Sequence, residues 1–407
     1  MTKIRSLVLF LTILVVGVVG TLAFYYARGY RFNSETLSLS PNGIFVIKSV
    51  PDGAQVIING ELKTATNATF PMPPGVYDVT VRKEGFLEWK KRLTVSEEIV
   101  TETTAHLFKA APSLSSITFS GSLNPVPSPD SSKISYSVPA DAGNGAQSGL
   151  WVIEAVNLPL GFVRDPRRIT DGDLTDASWI WSPNARQILL TTPLGVYLLD
   201  TGNFTAQAQR INVAQTKDTI LQEWEEEKEK RISSQLRRVP EELRDILQRR
   251  AESLSFSPDE DMVLYTASGS ATIPPDLIKP VPGASSQRQE RNIKDGQTYI
   301  YDIKEDRNFL ISEEETHLTG WVEYEELINI ENSKQSLAWY PSSRNLILAE
   351  DGKITIMDHD GTNRQVVYSG SYVAPHVYPT LSLDRLLILT NLGSESGLPN
   401  LYSLSLK

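Results

Sequence analysis

One short pattern constrains this chain more than any other: a Ser-Pro-Asp turn followed by an apolar strand. Pro127-Ser128-Pro129-Asp130 precedes KISYSV, Trp181-Ser182-Pro183-Asn184 precedes QILLTT, and Phe256-Ser257-Pro258-Asp259 precedes MVLYTA. Trp339-Tyr340-Pro341-Ser342 precedes NLILAE, and a degenerate Leu381-Ser382-Leu383-Asp384 precedes LLILTN. Each unit continues into a second strand: LWVIEA, GVYLLD, TYIYDI, KITIMD and LYSLSL. Proline fixes φ in the turn, an aromatic or leucine packs inward, and the two strands run out and back. No single unit buries both faces of so small a sheet, so several must stack radially. The motif prolines are 54, 75 and 83 residues apart, with 42 more to Leu383. Removing two insertions from the long gaps leaves units of about 40–50 residues.

These units resemble the TolB-type, WD-repeat-like β-propeller over residues 114–407. The resemblance implies an all-β architecture of five or six blades. A sixth blade is drawn either from residues 113–126 with a C-terminal strand or from 316–330. The motif is shared by several propeller families, so it speaks to architecture before subfamily.

The first insertion, 214–251, reads as a helical hairpin. Glu223 to Arg231 has eight charged residues in nine, with Glu226–Lys230 and Glu227–Arg231 at i,i+4. Ile220, Trp224, Ile232, Leu236 and Val239 keep helical spacing; Pro240 suits the first position of a second helix carrying Leu243, Ile246 and Leu247. Two readings stand: Trp224, Leu236, Leu243 and Leu247 dock a partner, or the stripe packs on its own domain, the more frequent outcome. The second insertion, 269–297, is Pro-rich with little periodicity, and reads as a long loop or a disordered excursion.

At the N-terminus, residues 1–31 form a membrane anchor. Ser6 to Tyr26 carries no charge over 21 residues, about 30 Å of helix, the thickness of the hydrocarbon core. Lys3 and Arg5 precede it, and Tyr25 and Tyr26 make an aromatic belt. A cleaved signal peptide is the competing reading, with Thr21-Leu22-Ala23 as a tolerable site, but the apolar run is long and Phe24-Tyr25-Tyr26 is bulky there. The expected topology is a single pass with the N-terminus cytoplasmic and the body extracytoplasmic. So short a stretch before the span argues against a sensory ectodomain with its own cytoplasmic output.

Residues 44–108 alternate as strands. Pro51-Asp52-Gly53 is a turn, Asn59-Gly60 closes a type I′ hairpin, and Pro74-Gly75 opens a further strand. SVPDGAQVIING followed by PPGVYDVTVRKEGFLEW resembles the PEGA domain, a small β-sandwich of bacterial and archaeal surface proteins. Thr64 to Ala68 departs from that family's usual step after the Asn-Gly turn. The resemblance implies an envelope spacer or binding module without catalysis. Arg82, Lys83, Lys90, Lys91 and Arg92 surround Phe86 and Trp89. One reading is a grip on an anionic glycan or lipid surface. The other is a solvated strand face, with both rings turned into the core as aromatics after a turn glycine usually are.

Chemistry is sparse. There are no cysteines, and the four histidines, His106, His317, His359 and His376, are at least 17 residues apart. Asp171–Asp176 and Asp358–Asn363 begin like calcium loops but lack the bidentate Glu, and read as turns. Gly393-Ser394-Glu395-Ser396-Gly397 has Glu where a nucleophile elbow has Ser. No catalytic, cofactor or metal residue is assigned. Residues 1–31 carry four cations and no acid, leaving 35 basic and 49 acidic side chains elsewhere; such a body repels nucleic acid. The expected function is a membrane-anchored binding or scaffold protein of the cell envelope, with an envelope protein or cell-wall glycan as partner. The alternative is an extracytoplasmic propeller hydrolase or lyase acting on glycans.

Overall fold

The computed structural model describes all residues except 1, 28–29, 34–37, 141–146, 156–164, 280–284, 315, 319–334 and 393–396. Most of the 316–330 blade candidate and of the 393–397 stretch therefore lies outside the described residues. The chain divides into two compact units, Met1–Leu107 with Val281–Gln287, and Phe108–Pro280 with Arg288–Lys407.

Unit 1 opens with helix α1 (Thr2–Ala27). Its stretch Ile4–Ala27 is long and apolar enough to cross a membrane, and none of it is buried within the protein. Thr12 and Thr21 turn their hydroxyls back to the carbonyls of Val8 and Gly17, each at 2.8 Å, so neither is an open polar group in an apolar surround. A hairpin follows, β1 (Tyr30–Asn33) and β2 (Ser38–Pro41). Seven strands then build two sheets: β3 (Gly43–Val50), β4 (Gln55–Ile58), β5 (Glu61–Ala65), β6 (Ala68–Met72), β7 (Gly75–Arg82), β8 (Trp89–Val95) and β9 (Val100–His106). One has the order β6-β3-β9, with β9 parallel to β3; the other runs β5-β4-β7-β8. Asn59 and Gly60 both have positive φ, 49° and 87°, as a type I′ turn requires. Between the sheets lies a core including Phe45, Ile47, Val56, Val79, Val81, Trp89 and Leu93. The edge strand β8 also forms an antiparallel bridge from Leu93 to Ser285.

Unit 2 is a series of small sheets. Its first strand, β10 (Ser113–Ser116), pairs with its last, β31 (Asn400–Ser405). Sheet I comprises β11 (Leu123–Pro127), β12 (Lys133–Val138), β13 (Gly149–Glu154) and β14 (Arg167–Asp171); sheet II comprises β15 (Ser178–Trp181), β16 (Gln187–Thr192) and β17 (Gly195–Asp200). The insertion is a helical pair, α2 (Lys217–Leu236) and α3 (Glu241–Arg250), with Pro240 as N-cap of α3 rather than its first residue. Sheet III follows: β18 (Ala251–Phe256), β19 (Met262–Ala267), β22 (Thr298–Asp302) and β23 (Arg307–Ser312). Between its second and third strands lies a two-stranded piece, β20 (Ala271–Thr272) and β21 (Asn292–Ile293). Sheet IV has β24 (His317–Leu318) parallel to β25 (Gln335–Trp339), then β26 (Asn345–Glu350), β27 (Lys353–Asp358) and β28 (Gln365–Ser369). Sheet V joins β29 (Val377–Pro379), β30 (Arg385–Thr390), β31 and β10.

The Ser-Pro-Asp turn works as its residue types dictate. The buried Ser128, Ser182 and Ser257 hydroxyls each donate to the acid or amide two residues on, at 2.6, 2.9 and 2.6 Å. The same oxygens accept the amides of Lys133, Gln187 and Met262 at 2.9, 2.9 and 3.0 Å. The fourth residue takes the left-handed conformation in the first four units: Ser131 (56°), Ala185 (56°), Glu260 (59°) and Ser343 (60°).

Neighbouring sheets meet at these turns. Lys133 Nζ donates to the Ala185 carbonyl at 2.8 Å, joining sheets I and II. Asp259 N–H donates to Ser343 Oγ at 3.0 Å, joining III and IV. Tyr340 donates its hydroxyl to the Leu383 carbonyl, joining IV and V. Leu381 N–H reaches the Ala155 carbonyl at 3.3 Å, joining V and I. Apolar clusters fill the steps I–II, III–IV and V–I. Sheets II and III are linked instead through the insertion: Arg231 donates to the Pro183 carbonyl at 3.4 Å, and Gln235 to the Glu260 carboxylate at 3.0 Å.

The 269–297 insertion is not a bare loop. Ile273 and Ile293 are buried with the α3 leucines. Arg291 stands 3.1 Å from the buried Asp306, which also accepts the Tyr301 hydroxyl at 2.6 Å. Pairs of two-residue strands leave no periodicity to read, which is why sequence pattern missed them.

Candidate functional site

In unit 1, strand alternation sorts the basic cluster. Trp89, Leu93 and Val95 point inward from β8, and Lys90 and Arg92 are exposed. Trp89 is only 1% exposed and Phe86 is partly buried against the same core. The Trp89 ring is not presented to a ligand, which corrects its proposed contact role: packing in the core with Val79, Val81 and Leu93 removes its apolar surface from water. Lys91 shares the inward parity of β8 and is half-buried. The other cations have local partners. Glu88 is 2.7 Å from Arg82 and 2.8 Å from Lys90. Arg92 makes a two-pronged contact with Asp78 at 2.7 and 2.9 Å, and Lys83 reaches the Asp52 carbonyl. Hydrogen bonds from Lys90 and Arg82 hold the Glu88 carboxyl below its usual range, and Arg92 does so for Asp78. Beside Glu88 lies an open groove of about 400 Å³, with Gln55, Ile57, Leu62 and Thr80 next to Arg82 and Lys90.

In unit 2, Leu236, Leu243 and Leu247 are buried at 3, 0 and 1% exposure against Val263, Tyr265, Tyr299 and Tyr301 of sheet III. Their proposed partner contact is corrected: their own domain covers them. Trp224 is half-exposed, on a part of α2 where no residue before Leu236 is buried.

A surface the sequence reading did not single out lies at the opposite end of the sheets. Antiparallel alternation places the connection after the strand that follows each such turn, and the connection leading into the strand that precedes it, away from the Ser-Pro-Asp turns. There Phe119 is 83% exposed, Leu194 76%, Ile211 79%, Leu392 58% and Leu398 40%. Phe119 and Leu398 share a neighbourhood: Ser122 N–H donates to the Pro399 carbonyl at 2.7 Å, and a Cβ on Gly121 would sit 3.0 Å from Leu398. Leu194 and Ile211 are similarly joined, since Asn212 bridges to Tyr197 and Val213 N–H bonds to Val196 at 2.7 Å. Exposed carboxylates stand on connections at the same end: Asp173, Asp176, Glu313, Glu314 and Asp351. The only hint in the sequence is an aromatic or leucine inside a turn, as in Thr118-Phe119-Ser120-Gly121 and Pro193-Leu194-Gly195.

The titratable groups of unit 2 serve its packing. His376 Nδ1 is 2.7 Å from the Tyr378 hydroxyl, which donates to the Pro125 carbonyl at 2.7 Å. With that hydroxyl proton committed, the imidazole carries its own proton on Nδ1. Burial pushes the His376 pKa down to about 4. Asp173 and Asp360 each bind the amide and hydroxyl of the threonine two residues on, Thr175 and Thr362, which is turn chemistry. Among the described residues, no group of three or more His, Asp or Glu is placed to hold a metal ion.

Comparison with known proteins matches residues 42–111 to the PEGA domain family. A search of curated proteins finds no match. Solved structures with detectable likeness include a TolB-type protein of Agrobacterium tumefaciens at 11% identity, covering 70% of this chain and 78% of that one, with a TM-score of 0.23. TolB of Acinetobacter baumannii has 13% identity, covering 81% of this chain and 60% of that one, at 0.20. A luciferin-regenerating enzyme has 10% identity, covering 73% and 97%, at 0.26. At such TM-scores the likeness carries no argument about activity or partner. Residues 42–111 are thus similar to the PEGA family, and unit 2 is described by its own strands.

Proposed function

We propose that this protein is a non-enzymatic, membrane-anchored binding component of the cell envelope. The anchor is α1, with Lys3 and Arg5 on the cytoplasmic side and both β units outside. Sheets I–V and the α2–α3 hairpin close into one propeller-like ring, the hairpin standing where a sixth blade would pack. Support comes from the succession of turn contacts I–II, hairpin, III, IV, V and back to I. The observation that carries the function is the exposed set Phe119, Leu194, Ile211, Leu392 and Leu398 at one end of the sheets. Apolar side chains gathered on loop tips mark a protein-binding surface, and the carboxylates around them favour a partner segment that is apolar with basic flanks.

The test is photo-crosslinking in intact envelopes, with a benzophenone amino acid placed at Phe119 or Leu194. Leu381, exposed at the turn end, serves as the control position. Protein adducts from positions 119 and 194 but not from 381 are expected. Equal adducts from all three, or none, would remove the loop end from consideration.

A further inference from the structure

We propose a second, independent binding site: the outer face of the β5-β4-β7-β8 sheet takes an acidic polysaccharide. One sugar ring lies over Ile57 and Leu62, and its carboxylate or phosphate meets Arg82 and Lys90. Register builds this surface. Leu62 pairs with Ile57, Ile57 with Thr80 and Thr80 with Lys90, so one row crosses all four strands. Gln55 pairs with Arg82 in the row beside it. The groove of about 400 Å³ falls in the roughly 300–1,000 Å³ range of small-ligand sites.

Each part suits a sugar. Leu62 is 66% exposed, an apolar floor for the C–H face of a pyranose. The Gln55 amide and Thr80 hydroxyl supply donors and acceptors beside it. Arg82 and Lys90 outnumber Glu88, leaving net positive charge, and their side chains are 53 and 65% exposed. Both are multi-donor cations able to bind an anion while touching Glu88. The carboxylates of Glu88 and Asp78 among these cations decide against a lipid surface. They repel a continuous anionic plane, but they accept hydrogen bonds from sugar hydroxyls. The fitting ligand therefore carries its negative charges set among hydroxyl groups, as one carboxylate per sugar ring does.

The experiment uses the full chain in non-ionic detergent, with sodium polygalacturonate as probe. Neutral dextran and phosphatidylglycerol vesicles are the comparison arms. Polygalacturonate is expected to bind with an affinity that falls as salt rises, and dextran is not. Arg82→Gln and Lys90→Gln each weaken binding about tenfold, the loss of one charge-assisted hydrogen bond. Leu62→Asp abolishes it, whereas Glu88→Gln tightens it severalfold by removing the competing carboxylate. All four side chains are at the surface, and circular dichroism confirms that the variants fold. Binding to vesicles without binding to polygalacturonate overturns the proposal in favour of lipid. Unchanged affinity in Glu88→Gln and Leu62→Asp overturns it as well, since charge alone would then be acting elsewhere on the protein.

Discussion

Arg238, in the bend between the two inserted helices, lies 2.8 Å from the Glu260 carboxylate at the Ser-Pro-Asp turn of sheet III. Arg231 of the same insertion reaches the turn of sheet II. The insertion is thereby tied to both sheet II and sheet III, and its buried leucines pack on sheet III.

If the hairpin is part of the ring, loosening it must loosen every sheet. Leu243 is fully buried, so Leu243→Ala is expected to cost about 2–5 kcal/mol. Trp224→Ala, at a half-exposed position, costs much less. Hydrogen exchange is the measurement. Protection should fall in β12 and β30 as well as in α2 and α3; a loss confined to the helices would make the hairpin an appendage.

The indole N–H of Trp339 donates to the Ser255 carbonyl at 3.0 Å, and that of Trp181 to Val126 at 3.0 Å. The same residue of two of the repeats thus stitches sheet IV to the first strand of sheet III and sheet II to the first strand of sheet I. Trp339→Phe keeps most of the apolar contact and leaves a carbonyl unpaired, so about 1–3 kcal/mol of stability is lost. Denaturant unfolding of the single variants and of the Trp181→Phe/Trp339→Phe pair checks this. The two sites share no partner, so their effects should add.

How much of this was legible beforehand follows from the range of the interactions. The strands around Ser128, Ser182 and Ser257 were readable because turn and strand are local in sequence. The inward turn of Trp89 was one of two readings, settled by which face of β8 meets Val79 and Val81. The groove beside Glu88 was hidden, because it depends on the register of four strands. Phe119 and Leu398 were hidden too, since they are adjacent only because β10 pairs with β31, at opposite ends of the repeat array.

Left-handed residues at the fourth turn position offer a stabilising change. Ser131 has φ 56°, a conformation that costs an L-residue about 1–2 kcal/mol and glycine little. Ser131→Gly is expected to raise stability by up to about 1 kcal/mol, offset in part by the greater entropy of the unfolded chain. A rise of a few degrees in the melting temperature supports the account. A fall would mean that the Ser131 side chain contributes more than its backbone costs.

His376 sets a pH dependence whose direction is fixed. Burial lowers its pKa to about 4 from the ordinary 6.5, so the folded protein binds fewer protons than the unfolded chain between those values. Stability is full above about pH 6.5 and declines as pH falls toward 4. The limiting loss is about 3 kcal/mol, because each tenfold change in proton affinity is worth about 1.4 kcal/mol. Protonation would place a second N–H on a ring whose Nδ1 already donates to Tyr378, in a site that burial has stripped of water. His376→Gln keeps a side-chain N–H for the Tyr378 oxygen and removes the titration. Its unfolding free energy should be lower than the parent's at pH 7.5 but flatter between pH 6.5 and 4.5. Parallel pH profiles for the two proteins would show that the decline arises from other groups, such as the turn carboxylates Asp130 and Asp384. Their folded pKa values are lowered, Asp130 by hydrogen bonds and Lys133 against the opposing effect of burial, and Asp384 chiefly by its hydrogen bond from Arg385. Stability from those two is lost only as pH falls below the ordinary carboxylate range of about 4, so they do not account for a decline already under way at pH 5.5, and the comparison with His376→Gln isolates the share that His376 contributes.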